Sequence, residues 1–138
     1  MSATTEKKNV ILIIDENTTR KNNLSSKLRH VGYATELCSS GFHAVHLLEK
    51  IERDNSKCYR LILIIGDTAD MPGREVLLLM RNVIESKNKL PILILHEDSD
   101  PDNILQTIKE GANDYIVDIE NYGKVLTKVQ KFAPIHQK

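Results

Sequence analysis

Four short apolar runs constrain the fold of this chain more than any other feature: Val10-Ile-Leu-Ile-Ile14, Leu61-Ile-Leu-Ile-Ile65, Ile92-Leu-Ile-Leu95 and Tyr115-Ile-Val117. They are rich in β-branched residues and continuous rather than alternating. Strands of a parallel sheet buried on both faces read this way, because neither face meets water. Ala34 to Cys38 is more polar and suits an edge strand.

Helical patterns fill the intervals. Leu24, Leu28 and Val31 recur at helix spacing before a stop at Gly32. Ala44, Val45, Leu48 and Ile51 form a second stripe, with Ser40 as its N-cap. Val76, Leu77, Met80 and Ile84 form a third. Asp100-Pro101 reads as an N-cap with proline at the first helical position, leading Ile104, Leu105 and Ile108 to a stop at Gly111. A fifth helix is expected from about Tyr122 to Phe132. Five strands alternating with five helices predict a doubly wound (βα)5 parallel sheet with right-handed crossovers. The flavodoxin-like strand order 2-1-3-4-5 is the expected one.

The 138 residues suit one domain, expected over 9–133, after a disordered lead-in at 1–8 and before a tail or linker start at 134–138. Lys plus Arg equals Asp plus Glu at 19 each, which gives no electrostatic reason to expect nucleic acid or a membrane as partner. No apolar run approaches the length of a membrane span. Cys38 and Cys58 read as reduced thiols of a cytoplasmic protein. His30, His43, His46 and His136 read as surface residues.

In such a sheet the site lies beyond the carboxyl ends of the strands. Asp15 and Glu16 stand there after the first run, Gly66 and Asp67 after the second, His96, Glu97 and Asp98 after the third, and Asp118 and Glu120 after the fourth. Grouped carboxylates raise one another's pKa unless a cation is present, and they suit a hard ion such as Mg2+. Taken alone, the cluster favours a plain solvated rim. No glycine lies between Asp15 and Thr18, so the phosphate-cradling loop of a nucleotide- or cofactor-binding domain is missing.

From Asn9 to Phe132 the chain resembles the receiver domain of bacterial response regulators. The resemblance rests on Ile11-Leu-Ile-Ile-Asp-Glu-Asn17, Tyr59-Arg-Leu-Ile-Leu-Ile-Ile65, Met71-Pro-Gly-Arg-Glu-Val76, Pro91-Ile-Leu-Ile-Leu95 and Gly111-Ala-Asn-Asp-Tyr-Ile-Val117. No one piece is specific, but five in order are. The resemblance implies an acidic pair that holds Mg2+, here Asp15 and Glu16. It also implies an acceptor aspartate, a hydroxyl, a lysine and a proline. Their positions fall on Ile65, His96, Asp118 and Ile119.

Isoleucine has no oxygen with which to take a phosphoryl group. Asp118 would repel a phosphate rather than clamp it. The expectation is a degenerate receiver, a pseudo-receiver with no catalytic residue. It would act without phosphorylation as a protein-protein interaction module in signalling. Its partner would be a separate protein, an attached effector domain or a second copy. The alternative is phosphorylation at a substitute carboxylate such as Asp67. No cofactor is expected beyond a weakly held Mg2+ on Asp15 and Glu16. His96 and Asp118 are expected to pair and close the pocket.

Function then falls to surfaces. Val76, Leu77 and Met80 suffice for the buried face of the third helix, so Leu78 and Leu79 suggest a contact with a partner. The competing expectation is that one of the two tucks under the connection to the fourth strand. Ile104 and Tyr115 mark a second candidate surface, the one that the resemblance associates with dimers and effectors.

Overall fold

The computed structural model describes residues 10–54 and 58–135. Its elements alternate as β1 (Val10–Ile14), α1 (Thr18–His30), β2 (Ala34–Cys38), α2 (Gly41–Arg53), β3 (Leu61–Ile65), α3 (Gly73–Val83), β4 (Ile92–Leu95), α4 (Pro101–Lys109), β5 (Asp114–Ile116) and α5 (Tyr122–Phe132). All strand pairs are parallel, in the order β2-β1-β3-β4-β5. The fold is therefore the expected flavodoxin-like sheet. The expected lead-in, Lys7, Lys8 and His136 lie outside the described residues.

Strand parity divides the apolar runs between two cores. Leu12, Ile14, Ile62, Ile64, Ile92 and Ile94 face α2 and α3, meeting Ala44, Leu48, Val76, Leu77 and Met80. Ile11, Ile13, Leu61, Leu63, Ile65, Leu93 and Leu95 face α1 and α5, meeting Leu24, Leu28, Val125 and Val129. Each fully buried Ile or Leu contributes roughly 1.5–3 kcal/mol against exposure. Continuous runs were needed because both faces are dry. β2 is half-exposed along most of its length, as its polar composition required.

Helix starts follow from capping chemistry. Ser40 caps α2 by accepting from the His43 amide, and Asp100 caps α4 by accepting from the Asp102 amide. α3 starts after Pro72 with no side chain of its own at the cap. Asp67 accepts from the Gly73 amide at 2.8 Å instead. β5 begins one residue earlier than the apolar run suggested and ends at Ile116, where His96 N–H meets the Ile116 carbonyl at 3.0 Å.

Two polar devices hold the layers together. Arg81 is buried at the end of α3, and burial lowers its pKa to about 10. It donates to the Gly111 carbonyl at 2.9 Å, to the Ile84 carbonyl at 3.2 Å and to Asn113 Oδ1 at 3.0 Å. Asp70 reaches from the β3–α3 loop to the start of α2. It accepts from Ser40 Oγ, from the Gly41 and Phe42 amides and from Thr68 Oγ1, all within 3.0 Å. These donors hold its carboxyl well below the usual carboxylate range. After α5 the chain stays attached: Tyr33 donates to the Ala133 carbonyl at 2.5 Å and Arg60 to the Pro134 carbonyl at 2.7 Å. Cys38 and Cys58 are free thiols, and burial pushes the Cys58 thiol up.

Candidate functional site at the strand ends

Ile65 closes β3 and is 1% exposed, packed in the α1/α5 core with Ile116, Ile119 and Val125. Ile119 enters the same core, so two apolar side chains replace the polar flank that the strand ends suggested. No peptide bond among the described residues is cis. Immediately after Ile65 the backbone turns at Gly66 with φ +63°, a left-handed conformation that suits glycine. The Gly66 carbonyl then rests against Gly73, where a Cβ would come within 2.4 Å of it. This turn carries Asp67 away from the Ile65 side of the sheet and toward β4.

Asp67 accordingly meets His96. The imidazole Nε2 stands 3.2 Å from both carboxylate oxygens. Nδ1 accepts the Asp98 amide at 3.1 Å, which places the ring proton on Nε2. The expected pairing of His96 with Asp118 is therefore corrected: Asp118 is exposed, and its contact is Asn121 at 3.5 Å. The reason is local. The Gly66 turn delivers a carboxylate to β4, while the β5–α5 loop buries Ile119 and leaves Asp118 outside.

A small cavity of about 90 Å³ lies beside this pair, lined by Asp67, Arg74, His96, Asp98, Thr107 and Tyr115 among others. The Tyr115 hydroxyl donates to the Asp98 carbonyl at 2.7 Å, so it is tied to the β4–α4 loop rather than left to solvent. Burial, followed by the charges of Asp98 and Asp67, raises its pKa. Arg74 crosses to α4 and grips Glu110 with two bonds of 2.5 and 2.6 Å.

The acidic pair separates. Glu16 is exposed, whereas Asp15 is 0% exposed. Arg20, in the first turn of α1, holds Asp15 with both ends of its guanidinium: Nε to Oδ2 at 2.6 Å and Nη2 to Oδ1 at 2.8 Å. The Asn17 amide adds a third bond to Oδ1 at 2.9 Å. The hydrogen bonds that Arg20 makes to Asp15, with the charges of Asp15, Glu97 and Glu120, raise the Arg20 pKa against the opposing effect of burial. Sequence reasoning missed Arg20. Its signal was a cation five residues after the buried carboxylate, where α1's first turn folds back over the strand end. No group of three or more His, Cys, Asp or Glu side chains suited to a metal ion occurs among the described residues.

The surface expectations divide as well. Leu78 is 41% exposed, while Leu79 is half-buried beside Phe42, Val45 and His46 of α2. Leu79 thus tucks toward α2 and not under the α3–β4 connection. On α4, Ile104 is half-buried and Leu105 is 56% exposed. His30, His43 and His46 are exposed, as expected. No described helix is long and apolar enough to cross a membrane.

The profile of the response regulator receiver domain matches residues 11–130. The transcriptional regulatory protein ZraR of Klebsiella oxytoca is 28% identical over 115 residues, which cover 83% of this chain and 24% of that protein. The chain therefore spans about a quarter of that relative. Chemotaxis protein CheY-3 of Vibrio cholerae is 28% identical over 120 residues, covering 85% of each. Among solved structures, the CheX-CheY-BeF3-Mg+2 complex from Borrelia burgdorferi superposes with a TM-score of 0.77 at 15% identity, over 88% of this chain and 87% of that one.

Proposed function

Because this chain belongs to the response regulator receiver domain family, we propose that it is a pseudo-receiver, a regulatory interaction module of two-component signalling whose output does not depend on aspartyl phosphorylation. One observation carries the reading: the last residue of β3 is an isoleucine packed into the core. It has neither an oxygen to attack a phosphodonor nor room for the charge that would result. The neighbouring positions agree with it. Position 118 holds an exposed aspartate in place of a cation, and His96 is engaged with Asp67 and the Asp98 amide. Asp67, the alternative acceptor, already binds the Gly73 amide and His96, so modifying it would disconnect the start of α3.

On this reading the domain catalyses nothing and works in the cytoplasm through protein contacts. The partner is a protein, an effector attached to the same polypeptide or a second copy, and neither nucleic acid nor membrane is engaged. Leu78 on α3 and the surface around Ile104, Leu105 and Tyr115 are its contact points. Incubation with acetyl phosphate and Mg2+, followed by intact-mass analysis, tests the first half: no phosphoryl group is gained. A stoichiometric phosphoryl group on Asp67 would overturn the reading. Light scattering and pull-down with a Leu78→Glu variant test the second half, with loss of assembly or of partner binding expected.

A further inference from the structure

The receiver family implies a divalent cation at the acidic pair, and the residues present do not fit one. Mg2+ takes oxygen ligands in near-octahedral geometry at about 2.0–2.1 Å and gives up water reluctantly. Both oxygens of Asp15 are already engaged: Oδ2 by Arg20 Nε at 2.6 Å, Oδ1 by Arg20 Nη2 at 2.8 Å and by the Asn17 amide at 2.9 Å. The end of β3 offers an isoleucine side chain where an oxygen ligand would be needed. The guanidinium also reaches the turn after β3, since a Cβ on Gly66 would lie 3.5 Å from Arg20 Nη2.

We infer that Arg20 is a resident cation that takes the place of the metal, and that it makes the strand-end site indifferent to Mg2+ and Mn2+. Three properties of the guanidinium suit it to the task. It is charged at every physiological pH. Its planar fork matches both oxygens of one carboxylate. It is tethered to α1, so it cannot be removed by a chelator. Its positive charge also answers Glu97 and Glu120, which approach from the β4–α4 and β5–α5 loops. A divalent ion brought to the same oxygens would meet like charge at close range in a site partly shielded from water.

This inference stands apart from the reading above, because metal affinity and phosphoryl acceptance are measured separately. The test is Mn2+ binding, read by electron paramagnetic resonance and by paramagnetic broadening of amide signals, on the wild type and on Arg20→Gln and Arg20→Ala. Glutamine keeps a donor beside Asp15 without the charge, which guards against the alanine variant failing to fold. The wild type should show no site at millimolar Mn2+, and its melting temperature should be unchanged between Mg2+ and a chelator. Arg20→Gln should gain affinity by about tenfold or more, with broadening centred on Asp15 and Gly66. Selective broadening at Asp15 in the wild type would overturn the inference while leaving the phosphorylation result untouched. Variants that fold and gain no Mn2+ affinity would overturn it equally.

Discussion

His96 Nε2 lies 3.2 Å from both carboxylate oxygens of Asp67, so one imidazole joins the loop after β4 to the loop after β3. The same ring accepts the Asp98 amide at Nδ1, and the Asp98 carbonyl in turn receives the Tyr115 hydroxyl. Four residues on three loops and strands thus share one chain of hydrogen bonds.

That chain requires the Nε2–H tautomer of His96. Long-range nitrogen–proton correlation spectra above neutral pH should show a protonated Nε2 and a bare Nδ1. A dominant Nδ1–H form would contradict the Asp98 contact. His96→Ala should speed amide exchange at Asp98 and Gly73. Because Asp67 is half-exposed, global stability should change by less than about 1 kcal/mol.

Ile65→Asp should not rebuild a switch. The new carboxylate would enter a core of Ile116, Ile119 and Val125, at a loss of about 3 kcal/mol or more. Any phosphate placed on it would find no lysine at position 118, where an exposed aspartate stands instead. Chemical denaturation reads the first effect. Spectra with beryllofluoride read the second, where no ligand-dependent shifts are expected. A clear conformational change in this single variant would show that the loss of function is shallower than proposed.

Asp70 makes the fold acid-sensitive in a defined direction. Its folded pKa is depressed by donors from Thr68, Phe42, Gly41 and Ser40, while in the unfolded chain it returns to the ordinary carboxylate value near about 4. Its stabilisation is therefore complete above that value and declines as pH falls below it. Asp70→Asn should lower stability at neutral pH and narrow the gap to wild type on acidification. A gap that stays constant from neutral to strongly acidic pH would rule out this role.

Arg81 is expected to be a stability residue. Arg81→Met keeps the aliphatic stem and removes the donors to Gly111 O, Ile84 O and Asn113 Oδ1. Thermal or urea unfolding should register a loss of about 2–4 kcal/mol, since buried acceptors are left without partners. Gly111→Ala should be damaging for a related reason: its φ is +128° and a Cβ would meet Arg81 Cγ at 2.7 Å.

The strands were legible because burial on both faces leaves an unbroken apolar string, as in Leu61–Ile65, and proline or glycine marks most helix ends. The site was legible only as positions. Ile65, His96 and Asp118 could be placed at strand ends by counting, but the partner of His96 could not. That choice was made by the backbone turn at Gly66, which moves Asp67 across the sheet, and by Ile119, whose burial leaves Asp118 outside. Arg20 was hidden for the same reason. Its sequence neighbours are polar, and only the return of α1's first turn over β1 brings it to Asp15.

The bond between Arg20 and Asp15 has one more consequence. A charge supplied by translation is present in every copy, from synthesis until degradation, and no enzyme or ion gradient can withdraw it. Under the proposed reading such a protein has no loaded and unloaded forms for a cell to count. What it can convey is dosage: how many molecules exist, and for how long.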